Sequence, residues 1–265
     1  MREEGTGLLV PAPVRVVLAE AYGALRAGGL AVGAALVDAE GRVRTRGRNR
    51  AYETGPGDRT GDRTGDRTEG SPAPGARTGG PLWNTRLAHA EINALALAPA
   101  DLPLGELTLW STQEPCAMCT AAARFTGVGA VRWLAVDPWA DTVGHLGAGG
   151  PGGGELGAGG PGAGGPDARL AGPDEGAVPF AARLANALFL WSVGLAAEGP
   201  GEPPILLRAR SREPATAALY DVLRATWPQG PPPRARFAAW ATAQARGTPD
   251  VWAAPDAPDG VSARA

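Results

Sequence analysis

The stretches His89-Ala90-Glu91-Ile92-Asn93-Ala94-Leu95 and Glu114-Pro115-Cys116-Ala117-Met118-Cys119 decide how this chain is read. Cys116 and Cys119 stand three apart, a spacing that puts two side chains on one helix face. Proline suits a first helical turn, so a helix opening at Pro115-Cys116 and running over 117–126 is predicted. A helix N-terminus favours negative charge, which lowers thiol pKa values and readies both sulfurs as thiolates. One nitrogen from His89 completes three donors and leaves a fourth tetrahedral position open, the pattern of a catalytic rather than a structural zinc. Glu91 lies two residues past His89 and so points elsewhere at a helix start. It is expected beside the open position, where a carboxylate takes and passes on protons.

Blander readings exist for each piece. A CxxC pair alone also fits a thioredoxin-like redox couple or half of a structural zinc knuckle. Neither accounts for His89-x-Glu91, and the chain has only these two cysteines. Glu91 could serve only to stabilise a first helical turn, where acids are favoured anyway.

H-x-E upstream of P-C-x-x-C is the signature of zinc nucleobase deaminases. The chain resembles the cytidine and deoxycytidylate deaminase superfamily, and its H-A-E and P-C-x-M-C forms are most similar to the branch of guanine, tRNA adenosine and fungal-type cytosine deaminases. The likeness extends to Ala31–Asp38 and to Gly47-Arg48-Asn49-Arg50, and spans about residues 14–138. It implies a three-layer α/β/α sandwich around a mixed five-stranded sheet, and one zinc ion per chain held by His89, Cys116 and Cys119. By the same resemblance, Glu91 deprotonates water at the zinc and then protonates the ring nitrogen and the departing ammonia. Asn49, Ala90 and Asp137 are implied substrate contacts, although Asn49 also fits a turn and Asp137 precedes a proline. The implied substrate is a small nucleobase or nucleoside, a purine ahead of a pyrimidine. A tRNA adenosine deaminase and a non-catalytic zinc-binding scaffold are the alternatives. A homodimer is implied as well.

Outward from the motifs, 14–27 has helical apolar spacing ended by Gly28-Gly29, and 30–37 with 42–47 reads as a β-hairpin. Helix is expected over 87–97, and strands over 106–111 and 130–136. Beyond these, 178–197 reads as an amphipathic helix, 205–208 as a short strand, and 213–227 and 234–246 as helices. Helices alternating with strands imply helices packed on a sheet. Two tracts break this order. GDRT recurs three times over 57–68, inside a polar insertion at about 54–80, and a glycine-rich tract covers about 144–177. Both are read as loops that cannot build a core. The expected organisation is a deaminase domain over 1–210 and a helical extension over 211–265. His145 is read as a loop residue, and Trp83 and Trp139 as packing residues able to stack on a base.

Composition sets the outer limits. With 265 residues, 40 Gly and 26 Pro, the compact part is nearer one domain than two. Every basic side chain is arginine and the net charge is −2, so no basic surplus points to nucleic acid. That balance weighs against tRNA as substrate. Cysteine economy, no signal-like N-terminus and no unbroken apolar run of membrane length lead to the expectation of a cytoplasmic protein with no membrane partner.

Overall fold

The computed structural model describes residues 11–53, 82–137, 169–173, 179–197 and 201–244. The GDRT insertion, His145, Trp139 and most of the glycine-rich tract lie outside the described residues.

The sheet is assembled from β1 (Gly33–Val37), β2 (Val43–Arg48), β3 (Thr108–Gln113), β4 (Ala130–Ala135) and β5 (Arg169–Pro173). Its order is β2-β1-β3-β4-β5. β1 runs antiparallel to both β2 and β3, whereas β3, β4 and β5 run parallel. β1 is buried along its whole length, which is why Gly-Ala-Ala-Leu-Val is a continuous apolar run rather than an alternation.

Two glycines show how the layers close. A Cβ at Gly33 would meet the Val17 carbonyl oxygen at 2.2 Å, so this residue lies flat against α1 (Ala12–Arg26). A Cβ at Gly47 would meet the Ala90 carbonyl oxygen at 2.4 Å, so Gly47 lies against α2 (Ala90–Ala96). Gly47 pairs with Ala34, the neighbour of Gly33, and successive residues of a strand face opposite ways. Hence α1 covers one face of the sheet and α2 the other. α3 (Ala117–Phe125) packs beside α2, and α4 (Pro179–Ala196) packs beside α1 over β3 and β4. This is the expected three-layer sandwich.

α4 is the one described helix with the length and hydropathy of a membrane span. Its central residues from Leu184 to Ser192 are buried inside the fold, as befits a core helix that is apolar nearly all round. Outside it lie α5 (Pro204–Arg212), α6 (Pro214–Thr226) and α7 (Arg234–Gln244). α6 packs on α4, while Phe237 of α7 stacks on Tyr22 of α1 with ring centroids 4.2 Å apart. The Tyr22 hydroxyl donates to the Pro232 carbonyl.

Two expectations are corrected here. Residues 205–208 are helical, not a strand: Ile205, Leu206 and Ala209 form one buried stripe of α5, and Pro204 sits where a first turn tolerates it. The fifth strand is instead β5, inside the glycine-rich tract read as a loop. Backbone pairing to β4 builds it, and that pairing needs no hydrophobic side-chain pattern. The 210/211 division expected between domain and extension falls within α5.

Candidate active site

α2 and α3 begin side by side near the C-terminal end of β3, the edge of a parallel arrangement where ligands commonly bind. His89 caps α2 with extended backbone, and Cys116 does the same for α3. The helix of α2 therefore starts at Ala90 rather than at 87. The preceding residues are tied elsewhere: the Ala88 carbonyl accepts the Arg50 N–H at 2.8 Å, and Asn84 adopts a left-handed φ of 49°.

This placement brings His89, Cys116 and Cys119 together, with donor atoms all within 4.8 Å of one another. The Cys116 and Cys119 sulfurs are 3.7 Å apart. His89 Nδ1 is 3.7 Å from the Cys116 sulfur and 3.5 Å from that of Cys119. At zinc bond lengths of about 2.3 Å to sulfur and 2.0–2.1 Å to nitrogen, a tetrahedron requires sulfur–sulfur edges near ~3.8 Å and sulfur–nitrogen edges near ~3.6 Å. The three edges fit one zinc ion. They do not fit a disulfide, whose sulfurs bond at about 2.05 Å.

Within the cluster, the neighbouring Cys119 thiol, ahead of His89, pulls the Cys116 thiol down to about 4. The same contact, with burial and the Glu91 carboxylate, pushes Cys119 up. The hydrogen bond to Cys116 raises His89 despite its partial burial.

Glu91 stands outside the three-donor set. It is buried, and burial raises its pKa. Ser111 of β3 donates to Oε1 at 2.9 Å, which leaves Oε2 directed to the cluster, 3.5 Å from the Cys119 sulfur. Sequence reading did not single out Ser111. The available signal was a hydroxyl alternating with Leu109 on one strand face, two residues before the Gln113-Glu114-Pro115-Cys116 turn. Gln113, on that same face and buried, has an amide with no hydrogen-bond partner at either atom.

The remaining candidates divide. Asn49 continues the β2 ladder through its N–H to the Val32 carbonyl, and strand alternation turns its side chain to the α2 side. Its Oδ1 accepts the Ala51 N–H at 3.1 Å, so Nδ2 is the amide's outward donor; among the described residues it bonds to nothing. Arg48 and Arg50 both pair with Glu53, at 2.7 and 2.6 Å, and brace this corner from either side. Ala90 is wholly buried, its methyl packed in the core at the start of α2. Asp137 lies past the end of β4, where its N–H meets the Glu114 carboxylate at 3.4 Å.

Residues 13–135, just under half of the chain, match the model of the cytidine and deoxycytidylate deaminase zinc-binding region. Fold, motif spacing and donor geometry over those residues agree with that match, so this part of the chain carries a zinc-binding region similar to that of the cytidine and deoxycytidylate deaminases. Among solved structures, guanine deaminase from Nitrosomonas europaea is similar at 20% identity, with 69% of this chain and 86% of that one covered and a TM-score of 0.41. A protein from a study of adenosine-to-inosine editing by tRNA deaminases at the wobble position is similar at 29% identity. There the coverage is 46% of this chain and 74% of that one, with a TM-score of 0.31. No curated protein sequence matches the chain.

Proposed function

We propose that this protein is a zinc-dependent hydrolytic deaminase that replaces the exocyclic amino group of a nucleobase or nucleoside by oxygen and releases ammonia. The observation that carries this reading is Glu91: a buried carboxylate, fixed by Ser111 through one oxygen, with the other turned to a three-donor metal cluster. A zinc-binding scaffold has no need for an acid there.

Zinc at His89, Cys116 and Cys119 would supply a Lewis acid that makes water acidic at neutral pH. The chain's own residues do the rest. Glu91 takes a proton from the attacking water at Oε2, since Ser111 occupies Oε1, and passes it to the ring nitrogen as the carbon–oxygen bond forms. It then takes the second proton from the oxygen just added and passes it to the amine, which leaves as ammonia when the carbon–nitrogen bond breaks and the carbon–oxygen double bond forms. Asn49 presents Nδ2 as a donor, so the ring it orients carries an acceptor on that edge. The P-C-x-M-C form supports a purine ahead of a pyrimidine.

Ammonia release from guanine, adenine, cytosine and their nucleosides and nucleotides tests this. One of these compounds is expected to turn over, and zinc-loaded Glu91→Ala to be slower by about 10²–10⁴-fold, the usual contribution of a positioned general base. A zinc-loaded wild type silent across the set, or a Glu91→Ala protein as fast as wild type, would refute the proposal. Turnover confined to tRNA would transfer the chemistry to a nucleic-acid substrate.

A further inference from the structure

We infer that Asn93 is a positioning residue that fixes the substrate-facing corner at Asn49 relative to the zinc donors, an inference that rests on the reading of Asn49 just given.

Asn93 is in α2, one turn beyond His89, and completely buried. A buried carboxamide needs three partners, two for its N–H groups and one for its oxygen. Asn93 has all three, and none belongs to its own helix. Oδ1 accepts the Leu82 N–H at 2.6 Å, while Nδ2 donates to the Leu82 carbonyl and to the Arg48 carbonyl, each at 3.1 Å. One side chain thus joins the chain leaving β2 to the chain returning at Leu82, and ties both to the helix whose cap is His89.

The corner held in this way is the functional one. Arg48 immediately precedes Asn49, whose N–H reaches Val32, and the next N–H reaches Ala88 beside His89. The Arg50 carbonyl then accepts from both Glu53 and Asn84, so the outgoing and returning strands meet at a single oxygen. Residues 54–81 lie between those two ends. Asn93 fixes the ends themselves, and the segment between them therefore need not determine where Asn49 sits.

A general stabilising role does not account for this placement. β2 is already seated on α2 by the close approach at Gly47 and by the Thr45 hydroxyl, which donates to the Ala94 carbonyl at 2.7 Å. What Asn93 adds lies past the end of β2, at the exit and the return. Its loss should release the corner while the sheet stays docked.

Asn93→Ala in the full chain, with Thr45→Val as the comparison, tests the inference by amide hydrogen exchange, zinc content and steady-state kinetics. Asn93→Ala is expected to accelerate exchange at the Asn49, Arg50 and Asn84 amides and to raise KM roughly ten- to a hundredfold, the scale of a small misplacement of a positioned group. Zinc content and kcat should stay near wild type. Thr45→Val, which removes a β2–α2 hydrogen bond away from the corner, should lower the melting temperature without moving KM or those three amides. Asn93→Ser, which keeps one donor, should fall between wild type and Asn93→Ala; it also serves if the alanine variant fails to fold. Unchanged exchange at the three amides, or an equal KM rise in Thr45→Val, overturns the inference. If the wild type turns over no substrate, the deaminase reading fails, and the exchange comparison still decides what Asn93 holds.

Discussion

Replacing Gly47 by alanine should damage both stability and chemistry, although it adds only one methyl group. That carbon would stand 2.4 Å from the Ala90 carbonyl oxygen and 2.5 Å from the Ala94 nitrogen, against ordinary contacts of 3.4 Å or more. Both obstacles are helix backbone, so no side chain can swing aside. β2 and α2 must separate by about 1 Å, the shortfall between 2.4 and 3.4 Å, in a core packed too densely to absorb it. Overpacking of this kind costs about 1–3 kcal/mol. Strain on the Thr45 and Asn93 hydrogen bonds adds about 1 kcal/mol each. A total loss near ~3–5 kcal/mol in denaturant unfolding is expected.

The motion also carries His89 and Glu91 away from Cys116 and Cys119, which belong to α3. Weaker zinc retention and roughly 10²-fold slower turnover should accompany the loss of stability. Gly28→Ala is the informative comparison. Its φ of +80° strains an alanine, but nothing lies within 4 Å of the added carbon. About 1–2 kcal/mol of stability should be lost there, with zinc and turnover intact. A Gly47→Ala protein with wild-type stability and zinc affinity, or one less impaired than Gly28→Ala, would show the reasoning wrong.

Other outcomes follow from the same geometry. Ser111→Ala removes a hydrogen bond to a buried carboxylate, worth about 1.5–3 kcal/mol, so turnover should fall roughly ten- to a hundredfold with zinc content unchanged; an unaffected rate would mean that Glu91 is held by other means. Burial works against the Glu53 carboxylate, but Arg50 and Arg48 outweigh it and hold its pKa below the ordinary 4.5. A depressed folded-state pKa stabilises above the unfolded value and loses that contribution as pH falls through the folded one. Glu53→Gln should therefore melt below wild type at neutral pH and converge with it as pH falls through the depressed Glu53 pKa; a gap that persists at strongly acid pH would contradict this. Phe237→Ala empties a fully buried ring site, and about 3–5 kcal/mol of stability should go with it. Since Phe237 packs on α1, across the sheet from the zinc donors, kcat measured well below the melting temperature should be unaltered.

The parts of the molecule legible in the sequence are those where side-chain chemistry dictates position. The hairpin of β1 and β2, the helix starting at Cys116 and the cluster of His89, Cys116 and Cys119 were readable because apolar pattern, proline and ligand spacing each state a requirement. β5 was not, since its pairing with β4 uses backbone groups that every residue has, within a stretch whose composition suggests a loop. Residues 205–208 misled because Ile-Leu-Leu is short enough for either period; the helical stripe emerges only when Ala209 is included. Ser111 and Asn93 escaped for another reason. A serine on a strand and an asparagine in a helix become informative only once their partners, Glu91 in one case and Leu82 with Arg48 in the other, are brought within reach by the fold.

The two faces of the sheet also differ in what they offer to light. Trp191 and Trp227 stack at 6.0 Å on the α1 and α4 side, close enough for their indole transitions to couple and give a paired circular-dichroism band. Trp133 sits beside Ser111 in the β3–β4 register, on the face that holds the zinc donors. Emission that responds to metal or ligand should thus come from Trp133 and from Trp83, which adjoins Leu82 at the corner tied by Asn93, while the coupled band follows docking of the C-terminal helices. Loss of the site and loss of the outer helical layer can be followed separately in one unlabelled sample.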